Sequence, residues 1–243
     1  MTNPTAAMLV IGDEILSGRT RDANIHHLAG RLTDAGIDLK EVRVVSDDRP
    51  AIIAATRALA GAYTHVFTSG GIGPTHDDIT ADCVADAMGA PIDVREDARA
   101  LLQAHYDRQG TDLNPARLRM ARIPEGAVLI ENPVSVAPGF SLGNVHVMAG
   151  VPAIFQAMLD SLLPNLTGGV PLTTESLPVY MPEGDIAGPL GQIADRFPDL
   201  SFGSYPFNAA GQLGANVVVR GSDAARVDQA VADLRTLFHD ALG

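Results

Sequence analysis

Over the first two-thirds of the chain, short apolar runs alternate with segments whose apolar positions recur every three or four residues. That alternation predicts a sheet covered by helices on both faces. Ala6 to Ile11 reads as a first strand, Asp22 to Ala35 as a helix stopped by Gly36, and Leu39 to Val45 as a second strand. Asp48 as N-cap and Pro50 in the first turn start a helix through Gly61, because an aspartate accepts orphan N–H bonds and a proline has none to lose. His65 to Thr68 makes a third strand, Thr80 to Met88 and Glu96 to Arg108 are helical, and Asn114–Pro115 begins another helix. Val128 to Ile130 and Val145 to Met148 are later strands, and Pro152 opens a helix through Leu162. The pattern changes at Pro164 to Pro171, where two prolines and two glycines leave little periodicity and predict a linker. Beyond it come strand (Thr174 to Tyr180), helix (Ile186 to Phe197), strand (Leu200 to Tyr205), strand (Gly214 to Arg220) and helix (Ala224 to Leu242). The expected architecture is a doubly wound α/β domain over residues 1–166 and a small α+β lobe over 171–243, with helices on one face of a three-stranded sheet.

Composition narrows the chemistry. The 243 residues carry 17 basic and 29 acidic side chains, a net charge of −12 that repels phosphate backbones and argues against general nucleic-acid binding. No apolar run approaches the roughly 18 residues of a membrane span, and the chain enters its first strand without a basic leader, so a cytoplasmic location and no membrane partner are expected. Cys83 is the single cysteine, which excludes an internal disulfide and a cysteine-rich zinc site. Lys40 is the single lysine, and no GxxxxGK[ST] string exists. A bound phosphate must therefore be held by backbone N–H groups, arginine or a metal.

The segment His65 to Thr80 concentrates the candidate chemistry: a strand, then Gly70, Gly71 and Gly73, then Asp77, Asp78 and Thr80 at a helix start. The glycines can take positive φ and present N–H groups to an anion at the carboxyl edge of the sheet. Paired carboxylates beside such a loop repel the anion unless a divalent cation lies between them. The first strand leaves into Gly12, Asp13 and Glu14, with Asn24 further on, and the second leaves into Asp47 and Asp48. Three strand ends with polar residues define one crevice. Taken singly, Asp13 and Asp48 read as turn and cap residues.

The strings Ile11-Gly-Asp-Glu-Ile-Leu-Ser-Gly18, Gly70-Gly-Ile-Gly-Pro-Thr-His-Asp-Asp-Ile-Thr80, Ala137-Pro-Gly-Phe140 and Gly150-Val-Pro152 resemble the N-terminal domain of the competence/damage-inducible protein A (CinA) family, within the molybdopterin-binding fold of the MoaB, Mog and gephyrin type. Phe202-Gly-Ser-Tyr-Pro206 is similar to the KH-like lobe that follows in that family. The resemblance implies either metal-dependent hydrolysis of ADP-ribose to AMP and ribose 5-phosphate, with Mg²⁺, Mn²⁺ or Co²⁺, or binding of molybdopterin without turnover. It maps family aspartates onto Asp78 and Asp47 and extends the phosphate-binding set to Thr75, Pro138 and Gly139. Asp47, Asp77 and Asp78 are then the expected metal ligands. It also implies a homodimer, whereas the relatives lacking the lobe tend towards trimers. Full-length family members carry an amidase domain that would begin where this chain ends, so amidase activity is not expected. Ile154 stands where the family commonly has an acid, which weakens the expectation of turnover.

The remaining candidates read as structure. His26 and His27 are solvated or capping residues early on a helix, His76 sits at a variable position, and Cys83 is a small core residue. Gly211-Gln-Leu-Gly214 has the spacing of an RNA-clamping GxxG but precedes a strand, and the lobe around it carries four arginines against nine acids. A packing or dimer surface is expected there.

Overall fold

Six consecutive buried residues, Ala6 to Ile11, require a strand covered on both faces. In the computed structural model, which describes residues 3–209 and 212–242, that strand is the centre of the first of two compact units, one ending at Gly169 and the other beginning at Val170. The first unit contains β1 (Thr5–Ile11), α1 (Asp13–Leu16), α2 (Asn24–Asp34), β2 (Asp38–Val45), α3 (Arg49–Ala62), β3 (His65–Ser69), α4 (Thr80–Met88), β4 (Ile92–Val94) and α5 (Glu96–Arg108). It continues with α6 (Pro115–Leu118), β5 (Arg122–Pro124), β6 (Val128–Ile130), β7 (Gly139–Leu142), β8 (Val145–Met148) and α7 (Pro152–Leu162).

The main sheet has the order β2-β1-β3-β8-β7-β6. Its first four strands are parallel, β7 joins antiparallel to β8, and β6, antiparallel to β7, runs in the direction of the first four. Side chains alternate across β1 as a strand demands. Ala7, Leu9 and Ile11 pack with Ile52 and Leu59 of α3 and Val84 of α4, whereas Ala6, Met8 and Val10 pack with Leu28 and Leu32 of α2 and Phe155 and Met158 of α7. This is the doubly wound arrangement expected. Asp48 caps α3, accepting from the Ala51 N–H at 3.1 Å, and Gly89 ends α4 in the left-handed region at φ 70°.

Three elements of this unit have no counterpart in the sequence pattern: α1, β7, and the two-stranded ribbon of β4 and β5. Each is three or four residues long, too short to show a period, and the ribbon joins segments about thirty residues apart. α2 begins at Asn24 and not at Asp22, because Asp22 stands before the helix and accepts the Ile25 N–H at 2.8 Å.

The second unit contains β9 (Thr173–Val179), α8 (Glu183–Arg196), β10 (Ser201–Ala209), β11 (Gln212–Gly221) and α9 (Ala224–Leu237). Its antiparallel sheet runs β10-β11-β9, and Leu177, Val179, Val217 and Val219 face Ile186 and Leu190 of α8 and Val227 and Leu234 of α9. α9 stops five residues earlier than its pattern suggests. Phe238 turns into the core, and the tail then pairs with β9 through Tyr180 N–H to the Ala241 carbonyl at 2.7 Å. β10 runs beyond Tyr205 through Pro206, which an edge strand tolerates because its outward N–H needs no partner. Gly211 of the GxxG spacing lies outside the described residues. Among the described residues no helix is long and apolar enough to cross a membrane.

Candidate functional site

Because β1, β2, β3 and β8 are parallel, their carboxyl ends share one edge of the sheet. Antiparallel β7 starts at that same edge, so the loop between β6 and β7 arrives there too. A cleft of about 580 Å³ opens at this edge, between the glycine loop after β3, Asp47 after β2, the start of α7, and Asn132 and Ser135 of the β6–β7 loop.

The glycine loop has a fixed shape. Gly70 (φ 108°) lies so close to the Ile11 carbonyl, and Gly71 (φ 69°) to the Thr80 hydroxyl, that neither position has room for a Cβ. The Gly70 N–H belongs to the sheet, donating to the Met148 carbonyl at 3.2 Å, and the Gly71 carbonyl accepts from the Thr80 N–H at 3.0 Å. The N–H groups of Gly71, Ile72 and Gly73 have no acceptor among the described residues. Three amides in succession at a cleft wall are thus left without a protein acceptor.

The carboxylates are committed to the protein. One oxygen of Asp78 accepts the Thr75 N–H at 2.8 Å, and the Thr75 hydroxyl lies 2.5 Å from both that oxygen and an oxygen of Asp77. This hydroxyl holds the Asp77 carboxyl below the usual carboxylate range. Asp47 accepts the Asp13 N–H at 2.9 Å. Burial pushes the Asp47 carboxyl above its usual range against the pull of that N–H, and the charges of Asp13, Glu14 and Asp77 push the same way. Among the described residues no three His, Cys, Asp or Glu side chains converge where they could hold a metal ion. Asp47, Asp77 and Asp78 line one cleft, and each already accepts a hydrogen bond from the protein.

Of the other expected contacts, Gly70, Gly71 and Gly73 line the cleft, and Pro138 lines a side pocket that shares the loop. Gly12 donates its N–H to the Val45 carbonyl at 3.1 Å and Asp13 points its side chain to solvent, so both shape the Asp47 wall from behind. Asn24 is 2% exposed and acts as a clip: its amide donates to Ser69 Oγ and to the Gly150 carbonyl, both at 2.8 Å, tying α2 to the ends of β3 and β8. Thr80 is fully buried, and Gly139 is packed so tightly on the Val147 carbonyl that its role is close strand approach. His76 faces solvent, with its side chain 98% exposed. Cys83 is buried and its thiol is pushed up to about 11, which leaves it inert at neutral pH.

Sequence reasoning missed the wall that the β6–β7 loop gives the cleft. Asn132 holds the β6–β7 loop in place through its donors to Ser135 Oγ (2.6 Å) and the Ala137 carbonyl (2.8 Å). In the same loop Val136 (φ 69°) is the one non-glycine at positive φ among the described residues, a strained position beside the cleft. Glu14 and Thr20 contribute from the segment after β1. Ile154, where an acid is common in the resembling family, adds an apolar wall.

Comparison with known proteins agrees with this geometry. Residues 7–168 match the family described as a probable molybdopterin binding domain, and residues 171–242 match the middle domain of FAD synthase. A CinA-like protein of Myxococcus xanthus is 35% identical over 81% of this chain and 50% of its own, so the chain spans about half the length of that relative. A protein of Pyrobaculum arsenaticum is 34% identical over 83% of this chain and 79% of its own. The crystal structure of the protein CinA from Thermoplasma acidophilum, 35% identical, superposes with a TM-score of 0.62 over 68% of this chain and 99% of that one. A family match across two-thirds of the chain, over the unit that holds the cleft, together with the likeness to CinA, places the protein in the CinA-type branch of the molybdopterin-binding domain family.

Proposed function

We propose that the cleft binds a phosphorylated pterin of the molybdopterin type, with the phosphate on the N–H groups of Gly71, Ile72 and Gly73 and the flat ring along the apolar walls of Ile72, Val151 and Ile154. The observation that carries this reading is the row of three amides without acceptors beside a cleft of about 580 Å³. A cleft of that volume suits a small cofactor. Molybdopterin, when bound, supplies the phosphate and the ring. The chain's own residues orient the phosphate through fixed backbone dipoles, and Asn24 and Thr75 keep the surrounding turns in place. The unit functions as a homodimer in this reading, joined through the C-terminal lobe.

A second reading, hydrolysis of a nucleotide diphosphate such as ADP-ribose to AMP and ribose 5-phosphate, has Asp47, Asp77 and Asp78 in the cleft in its favour. It ranks second because those carboxylates do not form a cage for the Mg²⁺, Mn²⁺ or Co²⁺ that the reaction would need, and Ile154 removes a further acid. Calorimetry with a pterin phosphate and with ADP-ribose, alongside an assay for AMP in the presence of each of the three ions, separates the two. Pterin phosphate binding without AMP release supports the first reading. AMP release above a buffer control with any ion, without pterin binding, supports the second.

A further inference from the structure

Beside the cleft, and sharing its glycine loop, is a narrow side pocket lined by Gly71, Gly73, Asp78, Arg119, Arg122 and Pro138. The two arginines differ in how their charge is met. Arg122 Nη2 lies 2.5 Å from Asp82 Oδ1, so its charge is paired inside the protein. Arg119 forms no ion pair among the described residues: its Nη2 donates to the Asp78 carbonyl at 3.2 Å, and its Nε is buried with no acceptor. A buried N–H without an acceptor is uncommon in native structures and calls for an explanation. Here it belongs to a cation, in a chain of net charge −12 with acids to spare, and Arg119 lines the same pocket as all three residues with unpaired loop amides.

Arg119 is also held in place. It opens the short 3-10 turn Arg119–Ala121 directly after α6, whose start is capped by Asn114 accepting the Arg117 N–H at 2.9 Å, and the turn is tied down by Arg95 N–H to the Ala121 carbonyl at 2.9 Å. On the outer side Arg119 lines a second opening with Asp82, Pro115 and Leu118, so the guanidinium stands between the side pocket and solvent.

We propose that Arg119 is a ligand-binding residue that donates to phosphoryl oxygens of a ligand seated on the glycine loop, from the side pocket. The Arg119 Nη1 group has no acceptor among the described residues, so the guanidinium keeps charged donors for phosphate oxygens, and the loop amides complete the shell. Arg119 thereby makes the site favour an ionised phosphate over a neutral ring, and it does so with a residue outside the glycine motif. The inference rests on the anion-binding reading above and adds a residue to it.

The test uses the full chain and inorganic pyrophosphate as probe, measured by calorimetry at several salt concentrations beside melting temperature, for Arg119→Gln, Arg119→Lys and Arg99→Gln. Arg119→Gln is expected to weaken pyrophosphate binding by about tenfold or more and to lower its salt dependence, with the melting temperature nearly unchanged. Arg119→Lys should restore the salt dependence and part of the affinity, since it keeps the charge and loses the fork. Arg99→Gln should leave affinity within about threefold, because Arg99 pairs with Glu96 on the exposed side of α5 and lines neither the side pocket nor the cleft. Native affinity in Arg119→Gln overturns the proposal, as does a loss of affinity that follows the melting temperature and is not relieved by lysine. If wild type and Arg119→Gln bind a pterin phosphate equally well, this inference alone fails. If the wild type binds neither phosphate compound, the anion-binding reading beneath it fails as well.

Discussion

Asp78 holds a turn and faces a cleft, and one substitution separates the two roles. Asparagine retains an oxygen for the Thr75 N–H and removes the charge, so Asp78→Asn should leave the melting temperature nearly unchanged. If the site only binds, losing a negative charge beside the loop amides leaves pterin phosphate affinity equal or higher. If the site hydrolyses a pyrophosphate, AMP release should fall by about two orders of magnitude or more. Turnover and calorimetry on this one variant rank the two readings. Asn24 is the opposite kind of residue, buried and away from the ligand but holding three elements together. Removing its amide leaves Ser69 Oγ and the Gly150 carbonyl without a donor, so Asn24→Ala should cost about 2 kcal/mol, or roughly 4–8 °C in melting temperature. A shift of less than about 1 °C would show that the clip carries little of the fold's stability.

At the scale of elements, the end of the sheet away from the cleft carries a pH dependence of its own. His65 opens β3 and His146 lies on adjacent β8; His65 Nδ1 is 3.3 Å from His146 Nε2, and Ser141 Oγ on β7 is 2.8 Å from His146 Nδ1. Burial pushes the His146 imidazole down to about 4, with the neighbouring His65 adding to the shift, and burial lowers His65 as well. Both rings are therefore neutral in the fold. An unfolded chain protonates them near pH 6.5, so the stability they contribute is complete above that pH and is lost as pH falls towards 4, where the unfolded state takes up protons that the folded state refuses. For His146 the loss amounts to at most about 3 kcal/mol. Urea unfolding between pH 7 and pH 4 should show it, and His146→Gln should flatten the profile over that window; an unchanged profile would mean that carboxylates alone set the acid limit. The pair also shows where sequence reading stops. β1, α4, α5, β8 and α7 are legible because each has a run or a period of its own, and the glycine loop is legible because its chemistry is contiguous. His65 against His146, β4 against β5, and the arrival of Asn132 and Arg119 at the cleft depend on which strand lies beside which. Antiparallel β7 brings the β6–β7 loop to the carboxyl edge, and nothing in Gly-Phe-Ser-Leu, residues 139–142, announces that pairing.

At the scale of the whole molecule, the proposed homodimer is argued from the second unit. Its core comprises a few aliphatic residues on β9 and β11 packed under α8 and α9, and within this unit the sheet has helices on one face only. A lobe of this size is marginal by itself, because too little of its surface is removed from water on folding. β10 is an edge strand of nine residues, Tyr205 on it is 54% exposed, and Leu213 at the start of β11 is 58% exposed. A second copy related by a two-fold axis would cover such groups on both partners at once, which is why closed pairs are the commonest solution for an incomplete surface. The negative charge of the chain works against close approach, so association should tighten as salt screens it. The expected outcome is a homodimer in light scattering on the full chain, more stable at higher ionic strength, and a monomer for a chain ending near Thr167. A full-length monomer at all salt concentrations, or a truncated chain that still pairs, would move the assembly surface off the lobe.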